Sequence, residues 1–161
     1  MLIQRVALIG SFKQRYSEVM SALNAFRQVG IEVTSPLGAA VLKEGINFVR
    51  FESDDANMSD ASVQSVTLRR IFSADLVYVV APEGYVGRTT CYEIGRVLQA
   101  GIPIYFSERP TDLPIQVPAS HIMNLTSIVD QAQQVAWKPS WPFAMDMDHS
   151  SELERELVTD R

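Results

Sequence analysis

Residues 76–82 read LVYVVAP, an uninterrupted apolar run that carries Val77, Val79 and Val80. A strand with no polar face must be covered on both sides, which a parallel sheet sandwiched between helices provides. The rest of the chain supplies the matching parts. Residues 5–10, RVALIG, form a second such run closed by Gly10, and residues 31–35 a third, stopped by Pro36. Between them Val19, Ala22, Leu23, Phe26 and Val29 recur at helical spacing, with Ser17 as the expected cap and Gly30 in the left-handed position after the end. A second helix is expected from Ser59 or Asp60 to Phe72, with Val63, Val66 and Ile71 turned inward. After residue 82 a glycine-containing loop, 83–87, leads into a helix whose buried face is marked by Cys91, Ile94 and Leu98 and which ends at Gly101; residues 102–107 are the next strand.

Elsewhere the pattern is less regular. Residues 36–59 make a long excursion with a candidate extra strand at 47–52, and such excursions inside compact domains are often functional. Beyond the fourth strand come a proline-bearing loop at 109–118, a short last strand at 122–125 and a helix at 127–137. A Pro/Trp-containing segment then precedes a charged helix opened by Ser151, with Glu154 completing a capping box. Strands alternating with helices predict the α/β class: a single-domain, flavodoxin/Rossmann-like parallel sheet of about five strands with helices on both faces. Residues 1–137 would form the domain and 138–161 a C-terminal extension.

A length of 161 residues at 47% hydrophobic content fits one domain with a real core. The apolar runs are too short to cross a bilayer and the N-terminus has no signal-like pattern, so a soluble, cytoplasmic protein is expected, with no membrane partner. Cys91 is the single cysteine, and His121 and His149 are scattered. That leaves no disulfide framework and no zinc spacing, and neither a metal nor a cofactor is expected. A net charge of −5 with no block of Lys or Arg argues against duplex nucleic acid, while remaining compatible with a small anion held by amides and one or two cations.

Ligands of open parallel sheets bind beyond the carboxyl ends of the strands, where the strand order reverses. This rule singles out the loops at 10–15 and 82–93. In the first, Gly10, Ser11 and Phe12 open a turn into a helix, which reads either as a phosphate cradle or as an ordinary strand-to-helix turn. In the second, Thr89 and Thr90 precede Glu93. Thr90-x-x-Glu93 reads as a capping box, or else Glu93 is a first-turn carboxylate held ionised by the helix dipole, the state a nucleophile needs. Tyr85 and Tyr92 flank this loop and read either as groups that stack on a base or hydrogen-bond a sugar or carboxylate, or as aromatics packed on the domain itself; Cys91 is expected to pack in the core. Asp54 and Asp55 in the long excursion read either as solvated loop acids or as acids that reach the same edge.

These residues resemble the nucleoside 2-deoxyribosyltransferase-like superfamily, which includes deoxynucleoside monophosphate N-glycosidases. The likeness runs over residues 6–107 as an order of motifs: a strand ending Gly10-Ser11-Phe12, VTSP at 33–36, Ala74-Asp75-Leu76-Val77, and Tyr92-Glu93-Ile94-Gly95-Arg96 followed by Gly101-Ile102-Pro103-Ile104. It is closest to members with a Gly-Tyr-x-Gly loop, here Gly84-Tyr85-Val86-Gly87. The resemblance implies that Glu93 is the nucleophile attacking the anomeric carbon of a nucleoside or nucleotide. It also implies that Gly10 and Ser11 contact the 5′ end or phosphate, and that the protein is a homodimer or larger homo-oligomer. Where family enzymes carry acids that orient the base or handle its proton, this chain has Thr67 and Gly87; Asp54, Asp55 or Tyr85 would then supply the missing donor. A non-catalytic nucleotide-binding module is the alternative, and a scaffold that docks through residues 137–143 a third.

Overall fold

The structure, a computed structural model, describes residues 2–37, 57, 59–144 and 149–159. Strands β1 (Arg5–Gly10), β2 (Glu32–Ser35), β3 (Leu76–Val80) and β4 (Ile104–Phe106) form one sheet in the order β2-β1-β3-β4. All three pairings are parallel. Helices α1 (Tyr16–Gln28), α2 (Asp60–Phe72), α3 (Arg88–Gln99) and α4 (Leu125–Ala132) accompany the sheet, and α5 (His149–Thr159) follows. The chain is therefore of the expected α/β class with the flavodoxin-like order, but with four strands among the described residues instead of five. Ile122 makes only an isolated parallel bridge to Phe106, at the place a fifth strand would take. Asn124 ends that strand before it can grow, because its side chain accepts from the Ser127 amide at 2.9 Å and starts α4. The candidate strand at 47–52 lies outside the described residues.

The apolar runs alternate between two cores, as pleating requires. Val6 and Leu8 of β1, with Leu76, Tyr78 and Val80 of β3, face α1 and α4, where Val19, Leu23, Phe26 and Ile128 close the first core. Ala7 and Ile9, with Val77 and Val79, face α2 and α3, where Leu68, Ile71, Ile94 and Val97 close the second. A fully buried aliphatic or aromatic side chain contributes about 1.5–3 kcal/mol relative to exposure, so these two layers hold the sheet. Tyr78 satisfies its one polar atom by donating to the Met123 carbonyl at 3.0 Å, and burial pushes its phenol well above the ordinary value.

The local helix signals hold in part. Ser59 caps α2 by accepting from Ser62 N, and Gly30 and Gly101 adopt φ of 77° and 68° after α1 and α3 as expected. Ser17 does not cap α1: the helix begins at Tyr16 with Arg15 in the capping position, and the Ser17 hydroxyl donates to Glu18 instead. In α2, Val66 is half-buried while Leu68 takes its place in the core. Residues 137–143 pack on their own domain. Trp137 lies against Tyr105 with ring centroids 5.4 Å apart, Trp141 donates its indole N–H to Leu98 O at 3.0 Å, and Phe143 is buried. Those aromatic groups thus contact the chain itself, with Trp137 and Trp141 half-buried.

Among the described residues no helix is long and apolar enough to cross a membrane.

Candidate functional site

The strand order turns back between β1 and β3, and the carboxyl ends of these neighbours open into a cavity of about 390 Å³. Gly10, Ser11, Phe12, Tyr85, Gly87, Thr89 and Glu93 all line it, so the two loops that sequence placed on one edge do meet. Thr67 of α2 lines it too, beside Ser35 and Pro36 at the end of β2. Asp55, with Asp54, lies outside the described residues.

Gly10 is required by packing. A Cβ there would sit 2.8 Å from the carbonyl oxygen of Val80, its register partner on β3, so no side chain fits at this closest approach of the two strands. The loop after it folds on itself: Phe12 N donates to Gly10 O, and Gln14 N and Arg15 N to Ser11 O. Three amides that a phosphate cradle would have aimed outward are thereby taken by the turn. From this loop Gly10, Ser11, Phe12, Lys13 and Gln14 line the cavity.

The second loop is held from a distance. Gly84, at φ 79°, packs so closely under the 109–111 backbone that a Cβ would lie 2.7 Å from Arg109 O, and Thr111 N donates to Gly84 O at 2.9 Å. Asp112 then accepts from the consecutive amides of Val86 and Gly87, at 3.0 Å each for the shorter bonds. These contacts fix where α3 starts. Gly87, at φ 88° and ψ 164°, is its N-cap, and no side chain caps the helix. Thr90-x-x-Glu93 therefore does not form a capping box; both residues belong to the buried stripe Thr90, Glu93, Ile94, Val97. That stripe is one residue out of phase with the expected Cys91, Ile94, Leu98, and Cys91 and Leu98 are only half-buried.

The consequence for Glu93 is large. It stands in the second turn of α3 at 7% exposure, instead of in the first turn under the direct influence of the helix dipole. Among the described residues none donates to or pairs with its carboxyl. Burial pushes its pKa up to about 8, so the expectation that the site holds it ionised is reversed in the ligand-free protein. Around it the charged lining side chains among the described residues are cations: Lys13, Arg70 and Arg88. Three cations thus gather among the described lining residues of a chain of net charge −5, a feature an anionic ligand would use.

Tyr85 and Tyr92 separate. The Tyr85 hydroxyl lies 3.3 Å from where a Cβ at Gly87 would be, while Tyr92 stands on the opposite, outer face of α3. Sequence reasoning missed Arg70, Arg88 and Asp112. Arg70 was findable, since it follows Thr67 by one helical turn and so shares its face. Asp112 was not, because its partners lie far away in sequence and nothing in the 109–118 loop signals them. Asp112→Ala is expected to cost about 1–3 kcal/mol by leaving two amides unsatisfied. Amide exchange at Val86 and Gly87 should quicken more than at β3, and uniform protection across both segments would contradict this staple.

No protein-family model matches the chain and no curated protein matches it either, so what the cavity does follows from its own residues alone.

Proposed function

We propose that this cavity cleaves or transfers the N-glycosidic bond of a nucleoside or nucleotide, with Glu93 as nucleophile. The observation that carries the reading is a buried carboxyl in a cavity whose other charged lining residues among those described are cations. The resemblance of Tyr92-Glu93-Ile94-Gly95-Arg96 to the deoxyribosyltransferase-like motif points the same way.

In this mechanism an ionised Glu93 oxygen bonds to C1′ through an oxocarbenium-like transition state, while the C1′–N bond breaks and its electron pair leaves with the base. Water or a second base then attacks C1′ and frees the carboxylate. Lys13, Arg70 and Arg88 would neutralise phosphate, with the Ser11 hydroxyl as a further donor. The departing base needs a proton or a hydrogen bond, and Thr67 and Gly87 offer no acid. Tyr85 is the best-placed candidate, because its hydroxyl fills the space a side chain at Gly87 would enter. A cytoplasmic setting, where nucleotides are abundant and a lone thiol stays reduced, suits this chemistry.

Incubating the protein with a panel of deoxynucleosides, ribonucleosides and their monophosphates is expected to release free base from at least one of them. No release above a Glu93→Gln control across the panel would contradict the proposal. The same cavity also supports a second reading, nucleotide binding without turnover, favoured by Thr67 in the lining and by the neutral state of Glu93. Tight calorimetric binding of a nucleotide that is never consumed would select it.

A further inference from the structure

Departure of the base is the step for which this cavity is least equipped. Glu93 is the only acidic side chain among the described residues that line it. The other polar liners are hydroxyls, one amide and cations, among them Ser11, Gln14, Thr67, Tyr85 and Arg88. Such groups lend a hydrogen bond but keep their protons at neutral pH. A neutral purine or pyrimidine leaves C1′ with an extra electron pair on nitrogen, and a proton on the base eases its departure. Glu93 does not supply that proton, because a carboxyl that attacks the sugar has already lost its own.

Burial sets the second demand. Glu93 is 7% exposed, and burial raises its pKa to about 8, so a bound ligand that favours the ionised form makes the nucleophile ready. A positive charge within about 4–6 Å of a carboxyl does this. Lys13, Arg70 and Arg88 line the same cavity, but in the mechanism above they are engaged by phosphate.

One class of leaving group meets both demands. A base joined to the sugar through a positively charged ring nitrogen, as in a pyridinium, departs as a neutral molecule and needs no proton. While still attached, its charge favours ionisation of a neighbouring carboxyl. Phe12 and Tyr85, the two aromatic side chains among the described liners, are of the type that holds a flat cation. A pyridinium mononucleotide carries a cation on its base and anions on its phosphate, and the cavity lining holds one carboxyl together with three cations.

We propose, on the reading that Glu93 attacks C1′, that the substrate of this cavity is a nucleotide whose base is a cationic pyridinium. A lone pair of the Glu93 carboxylate forms the bond to C1′ as the C1′–N bond breaks, and the electron pair of that bond cancels the charge on the ring and releases a neutral pyridine. Water then attacks C1′, gives a proton to solvent and frees the carboxylate.

The test compares kcat/KM for base release from the mononucleotides of nicotinamide, adenine, uracil and cytosine, in a ribose series and a 2′-deoxyribose series, so that within each series only the base differs. In the series that is cleaved, the nicotinamide compound is expected to react at least about 100-fold faster than the others, and Glu93→Gln to abolish the release. A neutral base released at a comparable or higher rate, and lost in Glu93→Gln, would overturn the pyridinium assignment while leaving Glu93 as nucleophile. No release from any compound, or release undiminished in Glu93→Gln, would overturn both. Calorimetry in buffers of different ionisation enthalpy gives an independent reading, using carbocyclic nicotinamide mononucleotide, whose ring lacks the oxygen that stabilises an oxocarbenium. Its binding at pH 7 is expected to release about one more proton from the unaltered protein than from Glu93→Gln. Equal proton release from the two proteins would contradict the proposal.

Discussion

Glu93→Gln is expected to make the protein more stable at about pH 9, by about 3–5 kcal/mol, while reducing base release at least about a thousandfold. Both effects come from the burial of one carboxyl. Its pKa is pushed from 4.5 to about 8 on folding, so between those values the folded protein holds a proton that the unfolded chain has released. Stability therefore falls as pH rises from about 4.5 to about 8, and above that the folded state carries the whole cost of a buried charge. Glutamine keeps the shape and never ionises, so the variant should match the parent near pH 4.5 and exceed it increasingly toward pH 9. Since whole domains are stable by only about 5–15 kcal/mol, the difference should be plain in urea unfolding followed as a function of pH. Equal stability of the two proteins at pH 9 would mean that Glu93 finds a compensating partner in solution.

The second expected result concerns rate. A nucleophilic carboxylate acts only when ionised, and with a pKa of about 8 roughly one molecule in ten of the free protein is ready at pH 7. The kcat/KM for base release should therefore rise about tenfold per pH unit below about pH 8 and level off above it. On the proposed mechanism stability and activity run in opposite directions over the same pH range, because the ionised form that would attack is the form the fold disfavours. A rate that is flat from pH 6 to 9, or that falls as pH rises, would assign Glu93 a different role.

The fold was legible where sequence alone determines burial. LVYVVAP and RVALIG have no polar face, and their alternation with helical stripes leaves few arrangements besides a covered parallel sheet. The location of the cavity followed from that, as did seven of the residues lining it. What escaped was set by contacts between segments remote in sequence. Thr90-x-x-Glu93 has the spacing of a capping box, yet the Asp112 carboxylate and the close fit of Gly84 under Arg109 start α3 at Gly87 and turn Glu93 inward. That displacement changes the chemistry from an exposed, dipole-held carboxylate to a buried, neutral one. Ser17 does not cap for a related reason, because α1 begins two residues earlier than a Ser17 cap would start it, after a turn closed by Ser11 O. The fifth strand dwindled to Ile122 because Asn124 caps α4 just after it. Substituting an acid for Gly87 would not simply restore the arrangement of the family it resembles, since its φ of 88° disfavours any side chain and Tyr85 stands 3.3 Å from the new Cβ.

In the proposed mechanism Glu93 itself bonds to the sugar. Mixing the protein at about pH 8 with the substrate found in the panel, quenching in acid within the first turnover and mapping the peptides by mass tests it directly. A deoxyribosyl or ribosyl adduct, with its phosphate if the substrate has one, is expected on the peptide that contains Glu93, and none in Glu93→Gln. Base release at an undiminished rate in Glu93→Gln, or an adduct on another residue, would contradict it.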